Sequence, residues 1–137
     1  MRVLALDIGS KRIGMAVSDE LGFTAQGLKT LESKGHDNDI KSIAATVNEL
    51  NVTEIVVGMP YNMDGSEGPQ AKKALEIMAE LEQVTSVPVY RWDERMSTMA
   101  AERMLLEADM SRAKRRKVID KVAATIILQG YLDSKRV

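Results

Sequence analysis

Three strand-like stretches follow one another before any helical pattern begins, and this order limits the folds open to the chain more than any figure of composition. Val3 to Ile8 is a short apolar run, and Ile13-Gly14-Met15-Ala16-Val17-Ser18-Asp19 is a second. Only Gly9-Ser10-Lys11-Arg12 separates them, too few residues for a crossover, so the two are expected to form a hairpin. A third strand is expected from about Thr24 to Leu31, weakened by Gly27.

The rest of the chain alternates. Asp37 can cap a helix whose Ile40, Ile43, Ala44 and Val47 repeat at helical spacing. Glu54 to Pro60 reads as a buried strand that Pro60 stops, and a polar loop runs from Tyr61 to Gly68. Pro69 suits the start of a second helix, with Ala71, Ala74, Leu75, Met78 and Leu81 on its apolar stripe. Val87 to Trp92 returns as a strand. Ser97 or Thr98 can cap a third helix carrying Ala101, Met104, Leu105 and Ala108 inward, and a fourth is expected from about Val118 to Leu132, with Gly130 as a late interruption.

Helix followed by strand, twice over, calls for parallel crossovers. The expected class is α/β: a mixed five-stranded sheet, three antiparallel strands and then two parallel ones, flanked by helices, with the first strand central. Such sheets place ligands beyond the carboxyl ends of their strands. At 137 residues the chain most simply forms one domain, 1–137.

Composition then removes whole classes of chemistry. Zero cysteines and one histidine, His36, exclude thiolate zinc sites, iron–sulfur clusters and His-rich centres. No apolar run nears the roughly 18 residues of a membrane span. Met1-Arg2-Val3 enters a strand pattern without a signal-peptide layout, so a cytoplasmic protein with no membrane partner is expected. The formal net charge of -1 gives no general pull on nucleic acid. The local run Arg112, Lys114, Arg115, Arg116 and Lys117 does. The nine methionines read as core filler.

What remains is carboxylate chemistry. Asp7 ends the first strand, Glu94 ends the last, and Asp120 lies in an Ala-rich helix just after the basic run. Carboxylates at the edges of apolar elements cost free energy unless something binds them, and hard oxygen ligands suit Mg²⁺ or Mn²⁺. Such a site, with one or two ions, fits phosphodiester hydrolysis. Each acid also has a plainer role: Asp7 as a turn residue before Gly9, Glu94 as a helix-entry acid, Asp120 as an i,i+4 partner of Arg116. The stretch Gly9 to Met15 is no Walker A loop, because Met15 stands where Lys is required and a strand follows. Lys11, Arg12, Arg95 and the basic run could hold substrate phosphates, a role that Lys11 and Arg12 suit somewhat better than that of a solvated hairpin tip.

Four ordered motifs complete the reading: Asp7-Ile8-Gly9-Ser10-Lys11-Arg12-Ile13-Gly14 through Val17-Ser18-Asp19; Val56-Val57-Gly58-Met59-Pro60 with Asp64-Gly65-Ser66; Asp93-Glu94-Arg95-Met96-Ser97-Thr98; and Ile119-Asp120-Lys121-Val122-Ala123-Ala124. Over almost the whole chain they resemble the YqgF family, also called RuvX-type pre-16S rRNA nucleases or Holliday junction resolvase-like proteins. The resemblance implies a ribonuclease H-like fold, with Asp7, Glu94 and Asp120 as catalytic and metal-binding acids. It also implies a cytoplasmic role in 5′-end processing of pre-16S rRNA during ribosome biogenesis. Met59 stands where Leu is usual and Lys121 where Gln is common; neither change removes a carboxylate.

Precursor ribosomal RNA is therefore the expected partner, and the chain is expected to be a monomer or weak homodimer. The alternatives are cleavage of four-way (Holliday junction) DNA, which favours a symmetric dimer, and an inert nucleic-acid binding module on the same fold. An ATP-handling fold of the actin or sugar-kinase kind needs two lobes, and this length provides one.

Overall fold

In the computed structural model, which describes residues 1–96 and 112–135 with the side chains of 96 and 112–121 excepted, the two opening runs form β1 (Arg2–Ile8) and β2 (Arg12–Ser18). They pair antiparallel, with Leu4 opposite Val17 and Asp7 opposite Gly14. Their turn is tight: the Gly9 amide donates to the Arg12 carbonyl at 2.9 Å. A Cβ at position 9 would stand 2.6 Å from that oxygen, so the turn needs glycine.

The single strand expected from Thr24 to Leu31 is instead two. β3 (Ala25–Gly27) pairs with Ala16 to Ser18, and β4 (Leu31–Glu32) pairs with Arg12 and Ile13. Both lie along the same edge of β2. Gly27 ends the first piece, and Leu28 packs against the core while its amide still donates to Met15 O at 2.9 Å.

Two crossovers follow, as the alternation requires. α1 (His36–Glu49) leads to β5 (Val52–Met59), parallel to β1, and α2 (Pro69–Thr85) leads to β6 (Val89–Asp93), parallel to β5. The path is β3-β2-β1-β5-β6, with β4 also on β2, so β1 is central as expected. Pro69 opens α2. Asp37, however, does not cap α1. The chain enters through Gly35 at φ 101, which already places position 37 inside the first turn. Buried Asp39 reaches back instead, accepting from the Lys34 amide at 3.0 Å and the Ser33 hydroxyl at 2.5 Å.

The helix expected from Val118 is helical from Arg112, so α3 is Arg112–Ser134 and contains the basic run. It passes through Gly130 without a break. A Cβ there would lie 3.1 Å from the Trp92 ring, which explains the glycine as a packing notch. The helix expected from Ser97 or Thr98 lies outside the described residues.

Strand alternation sorts the core into two layers. Leu4, Leu6, Ile55, Val57 and Met59 face α1 and α2, whereas Val3, Ala5, Ala16 and Val56 face Ala123, Ala124, Ile127 and Leu128 of α3. Met15, Met59 and Met78 are buried filler, but Met63 is 91% exposed. Among the described residues no helix is long and apolar enough to cross a membrane.

Candidate functional site

Asp7 continues the Val3–Ala5 row of β1, so it belongs to the α3 face of the sheet, at the strand's carboxyl end, and is half-buried. The row around it is cleared of side chains. Gly14 stands opposite on β2; on β5 the residue after Val57, itself the partner of Leu6, is Gly58. Gly58 in turn faces Trp92 of β6.

Glu94 follows β6 directly, opening the short 3-10 turn Glu94–Met96. Its Oε1 is buried, and a Cβ on Gly58 would come 2.9 Å from that oxygen and 2.4 Å from Ile127 Cδ1. Gly58 thus lets the carboxylate and α3 approach the sheet together. Asp7 and Glu94 therefore flank the same glycine-lined patch at the carboxyl ends of β1 and β6.

α3 runs antiparallel to β5: Ile127 lies at Gly58, whereas Tyr131 and Lys135 reach back to Glu54 near the strand's start. Positions 124, 123 and 120 fall three, four and seven residues before Ile127, on one stripe of the helix. Two turns, roughly 10 Å along the axis, carry position 120 beyond Gly58 toward the strand ends. The side chain of Asp120, like those of Arg112, Lys114, Arg115, Arg116 and Lys117, lies outside the described residues. Among the described residues no three His, Cys, Asp or Glu side chains gather as a metal-sized group. The two described acids are nevertheless all-oxygen donors of the kind Mg²⁺ or Mn²⁺ takes, with one oxygen already withdrawn from water.

Around the acids lies a brace that the sequence reading did not include. Arg95 donates to Asp93 through its amide at 2.9 Å, Nε at 3.1 Å and Nη2 at 2.8 Å. Its guanidinium also lies 5.5 Å from the centre of the Tyr61 ring and reaches Met63 O at 3.4 Å. The Arg95 side-chain hydrogen bond holds the Asp93 carboxyl below its ordinary range. Asp64, bonded by the Ser66 hydroxyl and amide, is lowered as well. Arg95 thus ties the 61–65 loop to the turn that carries Glu94.

Of the other expected cations, Lys11 is exposed at the hairpin tip and Arg12 opens β2. Arg12 also borders a cleft of about 1050 Å³ shared with Leu28, Lys29, Leu31 and Lys34. Lys73 was not among the expected residues: from α2 it donates to Gly9 O at 3.1 Å, beside Asp7. Nothing in a helix's polar spacing marks one lysine among several, so the sequence held no signal for it.

Known proteins share this plan. A protein of Clostridium kluyveri named "Putative pre-16S rRNA nuclease" is 53% identical over 133 residues, 97% of each chain. One of the same name from Geobacillus kaustophilus is 56% identical over 138 residues, covering 99% of this chain and 100% of that one. Among solved structures, Thermus thermophilus RuvC in complex with a Holliday junction substrate superposes with a TM-score of 0.62 at 16% identity, over 99% of this chain and 96% of that one. The fowlpox virus Holliday junction resolvase gives 0.56 at 17%, over 98% and 99%. These likenesses bear out the ribonuclease H-like fold. The family described as RuvX, Holliday junction resolvase, matches residues 1–134, and with it the half-identical relatives make the chain a member of the RuvX family.

Proposed function

We propose that this protein is a metal-dependent nuclease that hydrolyses phosphodiester bonds at the 5′ side of the small-subunit ribosomal RNA precursor, in the cytoplasm. The observation that carries the reading is the placement of Asp7 and Glu94 at the carboxyl ends of β1 and β6, on one face, with glycines clearing the surface between them. The names of the half-identical relatives support the RNA substrate. Asp7, Glu94 and Asp120 would hold Mg²⁺ or Mn²⁺, which supplies Lewis acidity at phosphorus.

The chain's own contribution is to position charge. The strand ends fix Asp7, the Asp93–Arg95 brace fixes the turn that bears Glu94, and the cations of the 9–12 turn and of α3's first turns neutralise the substrate backbone. Incubating a 5′-extended precursor RNA and a synthetic four-way DNA junction with the protein in Mg²⁺ or Mn²⁺ tests this directly. RNA cleavage that Asp7→Asn abolishes, with thermal stability unchanged, is expected, because a neutral amide is a poorer ligand for a hard cation. Cutting of the junction alone would favour the resolvase reading that the family's description keeps open. RNA binding with no cleavage of either substrate would favour an inert module. Asp7→Asn turnover equal to the parent's would remove Asp7 from the site.

A further inference from the structure

Lys73 is a cation held in place by the fold and facing a neutral group. Arg95 and Lys135, by contrast, pair with the carboxylates of Asp93 and Glu54. Lys73 is half-buried on α2, and its partner among the described residues is the Gly9 carbonyl at 3.1 Å. An ammonium carries three donors, and that carbonyl takes one. Among the described residues no carboxylate pairs with it, and withdrawing a cation partly from water without a counter-charge costs free energy that an anionic ligand would return.

Its location says which anion. Gly9 lies two residues after Asp7, and its own amide is spent on Arg12 O, so the turn is stapled on both sides. Lys73 thus holds the backbone two residues beyond Asp7, at the carboxyl end of β1, from the α2 side of the sheet. We infer that Lys73 is a substrate-binding residue that takes a backbone phosphate neighbouring the scissile one, while one of its protons pins the Gly9 turn beside Asp7. This rests on the nuclease reading above and adds to it a contact from the α2 side of the sheet, opposite the basic run.

The test is equilibrium binding of a single-stranded precursor RNA fragment, with divalent cations chelated, between about 50 and 200 mM salt, for the parent, Lys73→Met and Lys73→Arg. Lys73→Met keeps the aliphatic stem and removes the charge. It is expected to bind about tenfold more weakly, with a slope of log affinity against log salt shallower by about 0.7, the share of one phosphate on a single strand. Lys73→Arg should restore the slope. A parent-like slope in Lys73→Met would overturn the inference, and a fall in melting temperature with that slope intact would leave Lys73 as a strut for the turn. Because no cleavage is needed, the two readings fail separately. A changed slope in a protein that cuts nothing keeps Lys73 and sinks the nuclease; a parent-like slope in an active nuclease sinks Lys73 alone.

Discussion

Gly58 is the residue on which the site geometry turns. Any larger side chain would collide with Ile127 Cδ1 at 2.4 Å and press on the buried Glu94 oxygen at 2.9 Å. Ile127 is fully buried in the core and yields little, so the Glu94 carboxylate, at the end of a longer side chain, is the group that would have to shift. Gly58→Ala is expected to cost about 1–3 kcal/mol, the usual range for an overpacked core position. It should also lower turnover at saturating substrate by moving Glu94, more than an equally destabilising change in the α1–α2 layer such as Ile43→Val. Urea unfolding together with initial rates separates the two effects, and matched rates for the two variants would show that Glu94 is not displaced. The sequence did hold a signal for Gly58, since a lone glycine inside a strand marks a close approach by another group. Arg95 shows the opposite case: its charge was visible, but its commitment to Asp93 and Tyr61 depends on where a loop returns in space.

Among the elements, α3 is fastened to the sheet at its far end by polar contacts. Glu54, 8% exposed on β5, accepts from the Tyr131 hydroxyl at 3.2 Å and from Lys135 Nζ at 2.6 Å, and that ammonium lies 4.7 Å from the centre of the Tyr131 ring. Glu54→Ala would take the carboxylate acceptor from the buried Tyr131 hydroxyl and release the exposed Lys135, and is expected to cost about 1–3 kcal/mol. Hydrogen exchange should then quicken in the 128–134 amides and stay unchanged in α1. Uniform quickening in both helices would mean that the cluster supports the whole fold. The apolar stripes of α1 and α2 made those helices legible from spacing alone, and Pro69 marked a boundary. The first turns of α3 carry arginine and lysine with no such stripe, so the helix was expected to start too late. Gly130 looked like a break because the ring of Trp92, which fills the notch, is distant in sequence.

At the scale of the whole molecule, the two layers divide the work. α1 and α2 bury most of the aliphatic core against one face of the sheet, leaving the other face to α3 and to both described acids of the candidate site. Because α3 runs antiparallel to β5, its first turns, which carry Arg112, Lys114, Arg115, Arg116 and Lys117, lie toward the same end of the sheet as Asp7 and Glu94. On the proposed function, a chain with a formal net charge of -1 would in this way bring cationic positions of α3 to the end of the sheet where its acids would otherwise repel a phosphate backbone. Replacing the five cations together by Gln keeps good helix formers in α3 and removes only the charge. Affinity for precursor RNA should fall, and the salt slope should lose about 0.7 for each phosphate no longer contacted. Turnover at saturating RNA should change far less than with Asp7→Asn, because on the proposed function the basic run would hold the substrate and the acids would act at phosphorus. A parent-like salt slope would mean that these side chains do not touch the backbone, leaving the 9–12 turn and Lys73 to guide it.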